Sequence, residues 1–261
     1  MKRLVFVSFQ DIINGTPLGM VKYLIPVIQN IQDSSKINAS YLIGNINGYE
    51  GTLDINRVSW VYVIIVKTFK RFNNLLKNVV PNYKIRFWQE KLFDLFITTK
   101  IKEAVVLVSS AYLSKAQIKN KSLGGINIFI AGNPDDYEIH DLLKNEMISH
   151  GVEFKDAYTY EKRIAFVSKS ILLYDHIVTS TISEFDSYKK RIAFEKISYV
   201  ESHIIPNLNS FPKIQKDKNK KLTFCFVAHP FWLKGLPYLL EAWSMLNTDR
   251  AELHIAGRID S

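Results

Sequence analysis

The stretch Leu222-Thr-Phe-Cys-Phe-Val-Ala-His-Pro-Phe-Trp-Leu-Lys-Gly-Leu-Pro-Tyr-Leu-Leu-Glu-Ala-Trp243, followed by Ala251-Glu-Leu-His-Ile-Ala-Gly257, reads as strand, turn, helix and strand. In the run from Leu222 to Ala228, Leu222, Phe224 and Phe226 point one way and Thr223, Cys225 and Val227 the other. Both faces therefore ask for cover, as a parallel strand between helical layers does. Leu236, Leu239, Leu240, Trp243 and Leu246 fall on one helical stripe. Glu252 to Ala256 makes the returning strand, and the unit is a βαβ crossover.

Working upstream, the same alternation continues. Leu4-Val-Phe-Val-Ser8 is apolar on both faces, a turn-forming segment Asn14-Gly15-Thr16-Pro17 follows, and Val21, Leu24, Ile28 and Ile31 mark a helix face. Further strands are predicted at Tyr41 to Ile43, Ala104 to Val108, Ile126 to Ile130, His176 to Thr179 and Tyr199 to Ile205. After the Ile126 strand, Asn133 can cap a helix, Pro134 suits its first position, and Asp135 and Asp136 suit its positive dipole end. Ser183-Glu184 opens another. The lysine-rich segment Ser210-Phe-Pro-Lys-Ile-Gln-Lys-Asp-Lys-Asn-Lys-Lys221 breaks the composition and reads as a linker. The expected organisation is a Rossmann-like α/β domain over 1–209, a linker over 210–221, and the start of a second such domain over 222–261.

The chain has 261 residues, 47% hydrophobic, 23% charged and 13% aromatic, which excludes disordered, fibrous and disulfide-scaffold classes. Cys225 is the single cysteine and lies inside an apolar run, so it is expected to be buried and inert. The longest apolar run, Val58-Ser-Trp-Val-Tyr-Val-Ile-Ile-Val66, falls well below the roughly 18 residues of a spanning helix. The apolar residues after Met1-Lys-Arg end at Ser8, too soon for a secretory signal. These features predict a cytoplasmic protein.

Net charge is +9, and residues 57–91 carry eight Lys or Arg against one acid, Glu90. Basic residues interleaved with Trp60, Tyr62, Phe69, Phe72, Tyr83, Phe87 and Trp88 suit an anionic membrane surface, with Lys67, Lys70, Arg71 and Lys77 as the docking cations, or a solvated helix face. Nucleic acid is the poorer fit, because no zinc-finger spacing or aromatic ribonucleoprotein motif accompanies the charge. The histidines are scattered without ligand spacing, so no metal is expected. Asn14-Gly-Thr-Pro-Leu-Gly19 lacks the Gly-x-Gly-x-x-Gly of dinucleotide oxidoreductases.

The segment from Phe226 to Trp243 with Ala251 to Gly257 resembles the donor-domain start of family 4 glycosyltransferases. Ile205-Pro-Asn207 is similar to that family's Ile-Pro-Asn-Gly element, and Tyr174-Asp-His-Ile177 with Ser183-Glu-Phe185 to its Ala-Asp-x-Ile and Ser-Glu-x elements. The resemblance implies a GT-B fold and a retaining transfer of sugar from a nucleotide-sugar to a glycan or lipid-linked acceptor, without metal or cofactor, in envelope polysaccharide synthesis. It places Lys234, Gly235 and His229 at the donor diphosphate, with Gly15 and Gly19 in the glycine-bearing first loop, and Asn133 on the acceptor or sugar side. Asp135 aligns with a histidine that related enzymes place near the transferred sugar, and equally suits a helix-dipole role. The family's pair of donor-binding glutamates has no counterpart here, so the resemblance implies an incomplete donor domain that transfers no sugar alone. The competing expectation is a naturally shortened, non-catalytic module that binds a membrane or a partner chain.

Overall fold

The computed structural model describes residues 3–9, 11–14, 16–17, 39–48, 55–76, 79–201, 221–228, 232–246 and 249–257. The chain divides into two compact units, 1–202 and 203–261.

The first unit is built on β1 (Arg3–Ser8), β4 (Ala39–Ile43), β5 (Ile55–Arg57), β6 (Val105–Ser109), β7 (Ile126–Ile130), β8 (His176–Thr179) and β9 (Ile197–Tyr199), with a two-strand hairpin of β2 (Ile12–Ile13) and β3 (Thr16–Pro17). The large sheet has seven strands in the order β5-β4-β1-β6-β7-β8-β9. All its pairings are parallel, from Leu4 opposite Ala39 and Arg3 opposite Val105 outward. The chain steps outward from β1 to β5, then returns to the other side of β1 and runs outward again. The reversal falls between β1 and β6, where an open α/β sheet leaves a crevice at its carboxyl edge.

Six helices are described in this unit: α1 (Trp60–Leu75), α2 (Asn82–Lys100), α3 (Lys115–Ser122), α4 (Asp136–His150), α5 (Glu161–Ile171) and α6 (Ile182–Lys189); α1, α2, α3, α5 and α6 pack on the sheet face that carries Val5, Val7, Leu107, Phe129 and Ile177. The two-residue period of β1 sends Val5 and Val7 into a cluster with Tyr62, Phe93, Ile97 and Leu107, and Phe6 into one with Ile12, Ile43 and Val108. Phe129, Tyr174, Ile177 and Tyr188 form a third cluster towards β8 and β9.

Polar side chains fix the register of the edges. Asn120 on α3 accepts from Val105 N and donates to the carbonyls of Val105 and Ile126 and to Asn127 Oδ1. A Cβ at Gly125 would stand 2.0 Å from Asn120 Oδ1, so the residue before β7 must be glycine while Asn120 holds its place. Asp94 on α2 accepts from the N–H groups of Lys115 and Ala116 and so caps a neighbouring helix, and Thr181 with Glu184 makes a reciprocal capping box on α6.

In the second unit β10 (Leu222–Val227) and β11 (Ala251–Ala256) pair in parallel, Leu222 opposite Ala251, joined through α7 (Leu236–Met245). Phe224 meets Trp243 edge-on at 5.5 Å. Gly235 precedes α7 at φ +76°, a conformation that favours glycine.

The structure corrects four expectations. Among the described residues the last strand of the sheet is Ile197–Tyr199, set by buried Ile197 opposite Ile177, so it starts two residues before the expected Tyr199, and the rest of the expected strand, 202–205, lies outside the described residues. The cap of α4 is Asp135 in place of Asn133, and that of α6 is Thr181 in place of Ser183. Cys225 is exposed, because its face of the β10–β11 pair carries no cover among the described residues. The helix over Val21 to Ile31, the break at 210–221 apart from Lys221, and Gly15, Gly19, Lys77 and His229 lie outside the described residues.

Candidate active-site cleft

A cavity of about 270 Å³ opens at the carboxyl ends of β1, β6 and β7, lined by Ser8 at the end of β1 and Phe9 after it, Ser110 to Tyr112 after β6, Gly132 and Asn133 after β7, and Asp136 at the start of α4. It sits at the strand-order reversal. A second cavity, of about 400 Å³, lies at the amino ends of the strands around Arg3, Lys102 and Val105. The sheet topology favours the first despite its smaller volume, since ligands bind outside the carboxyl ends of parallel strands.

The floor of the cleft is an ion network. Arg163 on α5 is 1% exposed and donates Nε to both Glu90 oxygens, at 3.1 and 2.8 Å. Its Nη1 reaches Asp136 Oδ2 at 2.7 Å and the Ala157 carbonyl at 3.1 Å. Burial works against that charge, and Asp136 and Glu90 more than offset it, so the guanidinium pKa is raised and the group stays cationic. Tyr112 donates its hydroxyl to Asp136 Oδ1 at 2.9 Å and stacks on Phe129. Burial, reinforced by the Asp136 charge, lifts the Tyr112 pKa well above its ordinary value and keeps it a donor. The network ties α2, α4 and α5 together under the cleft.

The rim is small and polar. Ser110 donates to Ser8 at 3.2 Å, joining the ends of β1 and β6. Ser109 folds the next loop back by donating to the Ala111 carbonyl and accepting from the Ala111 N–H, and Tyr174 donates to the same carbonyl. Backbone and hydroxyl groups held this way suit hydroxyl-rich ligands.

Of the residues singled out in the sequence, Asn133 lines this cleft. Asp135, 1% exposed, caps α4 through the Tyr137 N–H at 3.1 Å and pairs with Arg191 at 2.7 Å, and the aspartate lining the cleft is Asp136. Burial raises the Asp135 pKa, against the opposing pull of the Tyr137 N–H and Arg191. Lys234 is exposed in the turn before α7, next to Gly235, in the second unit.

The basic stretch separates into different environments. Arg57 donates to the Ile46 carbonyl, and Arg86 lines the cleft. Lys84 and Lys91 lie over the rings of Tyr83 and Phe87. Several of the aromatics are packing groups: Phe69 meets Trp88, Tyr83 meets Tyr160, and Phe87 meets Tyr160 and Phe166. What α1 presents outward is apolar. Trp60, Val61, Ile64, Ile65, Phe72 and Leu75 are exposed, Trp60 at 64% and Leu75 at 80%, while Tyr62, Val63 and Asn73 face inward. Lys67, Lys70 and Arg71 are exposed on the same helix. No helix among the described residues is long and apolar enough to cross a membrane.

Sequence reasoning missed Ser8, Ser110, Glu90, Tyr112 and Arg163. The two serines could have been found as the residues that end a strand or follow it at the sheet's carboxyl edge. Arg163 carried no signal, because a lone arginine in an amphipathic helix reads as a solvent-facing one.

The seven-stranded parallel sheet with its reversal between β1 and β6, and the separate βαβ unit, define an α/β protein with a Rossmann-like sheet. Among solved structures, the chain is similar to WaaG, a glycosyltransferase involved in lipopolysaccharide biosynthesis, with TM-score 0.57 and 11% identity over 98% of this chain and 64% of that one. It also aligns with the lipopolysaccharide outer core galactosyltransferase WaaB, in its apo form, with TM-score 0.46 and 13% identity over 97% of this chain and 60% of that one. A third alignment, to a UDP-N-acetylglucosamine 2-epimerase, has TM-score 0.41 and 7% identity over 99% and 70% of the two chains. At these identities the likeness concerns the fold alone, and the two alignments below a TM-score of 0.5 add nothing to it. The chain thus spans less than two thirds of the length of the two lipopolysaccharide enzymes. No protein-family model matches the chain, and no curated protein matches its sequence.

Proposed function

We propose that this chain carries the acceptor-side domain and the opening strand–helix–strand of the donor-side domain of a nucleotide-sugar-dependent glycosyltransferase acting on a glycan or lipid-linked acceptor. The observation that carries the reading is the cleft at the β1–β6 reversal, polar at its rim and braced by a buried ion network. WaaG, which is similar in fold, is a glycosyltransferase involved in lipopolysaccharide biosynthesis, and an envelope glycan is the product that this reading takes. In this reading the acceptor hydroxyls are held by Ser8, Ser110 and Asn133. Lys234 pairs with the donor diphosphate and Gly235 lets the phosphate approach the backbone; one such charge-assisted contact contributes roughly 1.5–3 kcal/mol. Transfer proceeds with retention and without a metal, and Asp135 holds the start of α4 in place beside Asn133.

The outer face of α1 brings the domain to its acceptor. An exposed apolar helix face with cations on the same helix fits the boundary of an anionic bilayer, where each basic residue contributes about 1 kcal/mol and a fully buried large apolar side chain roughly 1.5–3 kcal/mol. The experiment is direct. The chain joined to a complete donor-side domain is incubated with radiolabelled nucleotide-sugars and anionic lipid extract, and label is followed into lipid or polymer; the 261-residue chain alone is expected to transfer none. Transfer from one nucleotide-sugar, lost several-fold or more in Lys234→Ala, is expected. Absence of transfer from every nucleotide-sugar, with membrane binding intact, would leave the non-catalytic module as the better reading.

A further inference from the structure

Four charged side chains line the cleft: Arg86, Glu90, Asp136 and Arg163. Three are buried and satisfied by one another. Glu90 accepts from Arg163 through both oxygens, and Asp136 accepts from Arg163 and Tyr112. What the cleft shows a ligand is therefore Arg86, whose side chain is 47% exposed. Its Nε donates to Glu90 Oε1 at 3.2 Å, and its guanidinium carbon lies 6.0 Å from the Tyr158 ring centroid. The Nη groups make no hydrogen bond among the described residues, and two adjacent Nη donors match the two oxygens of a carboxylate or phosphate.

We infer that Arg86 binds an oxyanion group carried by the acceptor, a phosphate or a carboxylate on the sugar, and so sets the acceptor class as an anionic sugar. The inference rests on the cleft being the acceptor site. Anchoring by Glu90 and by the Tyr158 ring leaves the guanidinium little freedom to lose on binding, which favours selectivity. The buried Arg163 commits its Nε and Nη1 to Glu90, Asp136 and the Ala157 carbonyl, so Arg86 is the exposed guanidinium and Arg163 can add at most its Nη2.

The test uses the 261-residue chain and four probes measured by ligand-observed NMR titration: glucose, glucose 6-phosphate, glucuronate and inorganic phosphate. At least one of the two anionic sugars is expected to bind about ten-fold or more tightly than glucose, with inorganic phosphate weaker than the sugar phosphate. Which of the two wins identifies the anion. Arg86→Met should abolish the preference while leaving glucose binding within two-fold, and Arg86→Lys should restore part of it. Equal binding of glucose and both anionic sugars, or a preference that survives Arg86→Met, overturns the inference and leaves the acceptor site standing. Binding of inorganic phosphate as tightly as the sugar phosphate overturns it as well. If no sugar binds at all, the acceptor-site reading itself fails and the inference with it. Unchanged thermal unfolding of Arg86→Met certifies the comparison, and Arg86→Lys carries it if that variant is unstable.

Discussion

Asp135 and Asp136 are neighbours in sequence with different surroundings. Asp135 caps α4 and pairs with Arg191, while Asp136 holds Arg163 and Tyr112 beneath the cleft. Asp135→Asn keeps an oxygen for the Tyr137 N–H, whereas Asp135→Ala removes it. The alanine variant is therefore expected to lose about 1 kcal/mol of stability and the asparagine variant far less, with sugar transfer by the asparagine variant intact. A catalytic carboxylate would instead show as lost transfer in Asp135→Asn at unchanged stability. The raised pKa of Asp135 adds a sign: between its ordinary pKa and the folded one, the native state binds more protons than the unfolded state. Its contribution to stability therefore falls as pH rises through that window, and Asp135→Asn should flatten the slope in urea unfolding measured across it. Gly125 gives a second residue-scale test. Gly125→Ala drives a Cβ into Asn120, whose amide makes four hydrogen bonds. Chemical denaturation should show a loss of several kcal/mol, against about 1 kcal/mol or less for an unhindered glycine-to-alanine change. Asp135 was legible as a helix-start residue because dipole logic is local. Its ion pair with Arg191, 56 positions away, was not.

At the scale of elements, the stripe at Leu236 to Leu246 formed α7 and the start signals at 133–136 and 183–184 fell at α4 and α6, while α2, α3 and α5 were not singled out in the sequence. The run Val58 to Val66 reads as apolar whichever way it faces; the structure shows α1 turning Tyr62 and Val63 inward and Trp60, Ile64 and Phe72 outward. The expected basic surface thus becomes an apolar face with cations beside it, while Arg86 belongs to the cleft. Lipid docking is tested by sedimentation with phosphatidylglycerol-containing and neutral vesicles. Trp60→Ser with Phe72→Ser should weaken binding to both, and changing Lys67, Lys70 and Arg71 to Glu should abolish the preference for anionic lipid and its salt sensitivity. Equal binding of the unaltered chain to both vesicle types would contradict the role given to the cations. The ion network joining α2, α4 and α5 makes a separate prediction. Arg163→Met strands Asp136 as a buried charge and leaves Glu90 with Arg86 alone, and should cost about 3–5 kcal/mol, seen as a large fall in Tm. Adding Glu90→Gln and Asp136→Asn to that variant should recover most of the loss, because neutral amides leave no unpaired charge.

For the whole molecule, the alternation of apolar runs and helical stripes made the parallel sheet legible, and β1, β6, β7 and β8 lie within a residue of where their sequences put them. The order of the strands was not written in any one segment, nor was the short β5, whose three residues carry too little pattern. The order is what locates the cleft, so Ser8 and Ser110, 102 positions apart, emerge as a site only in the fold. The central claim divides the work between two units: acceptor binding in the cleft of the first, donor diphosphate at Lys234 in the second. The measurement that tests it most directly is a two-substrate kinetic analysis of the chain joined to a complete donor-side domain, reading KM for acceptor and for nucleotide-sugar separately. Asn133→Ala is predicted to raise the acceptor KM five-fold or more with the donor KM within two-fold, and Lys234→Ala to do the reverse. A donor KM raised by Asn133→Ala alongside an unchanged acceptor KM, or no effect of either substitution, would contradict the account.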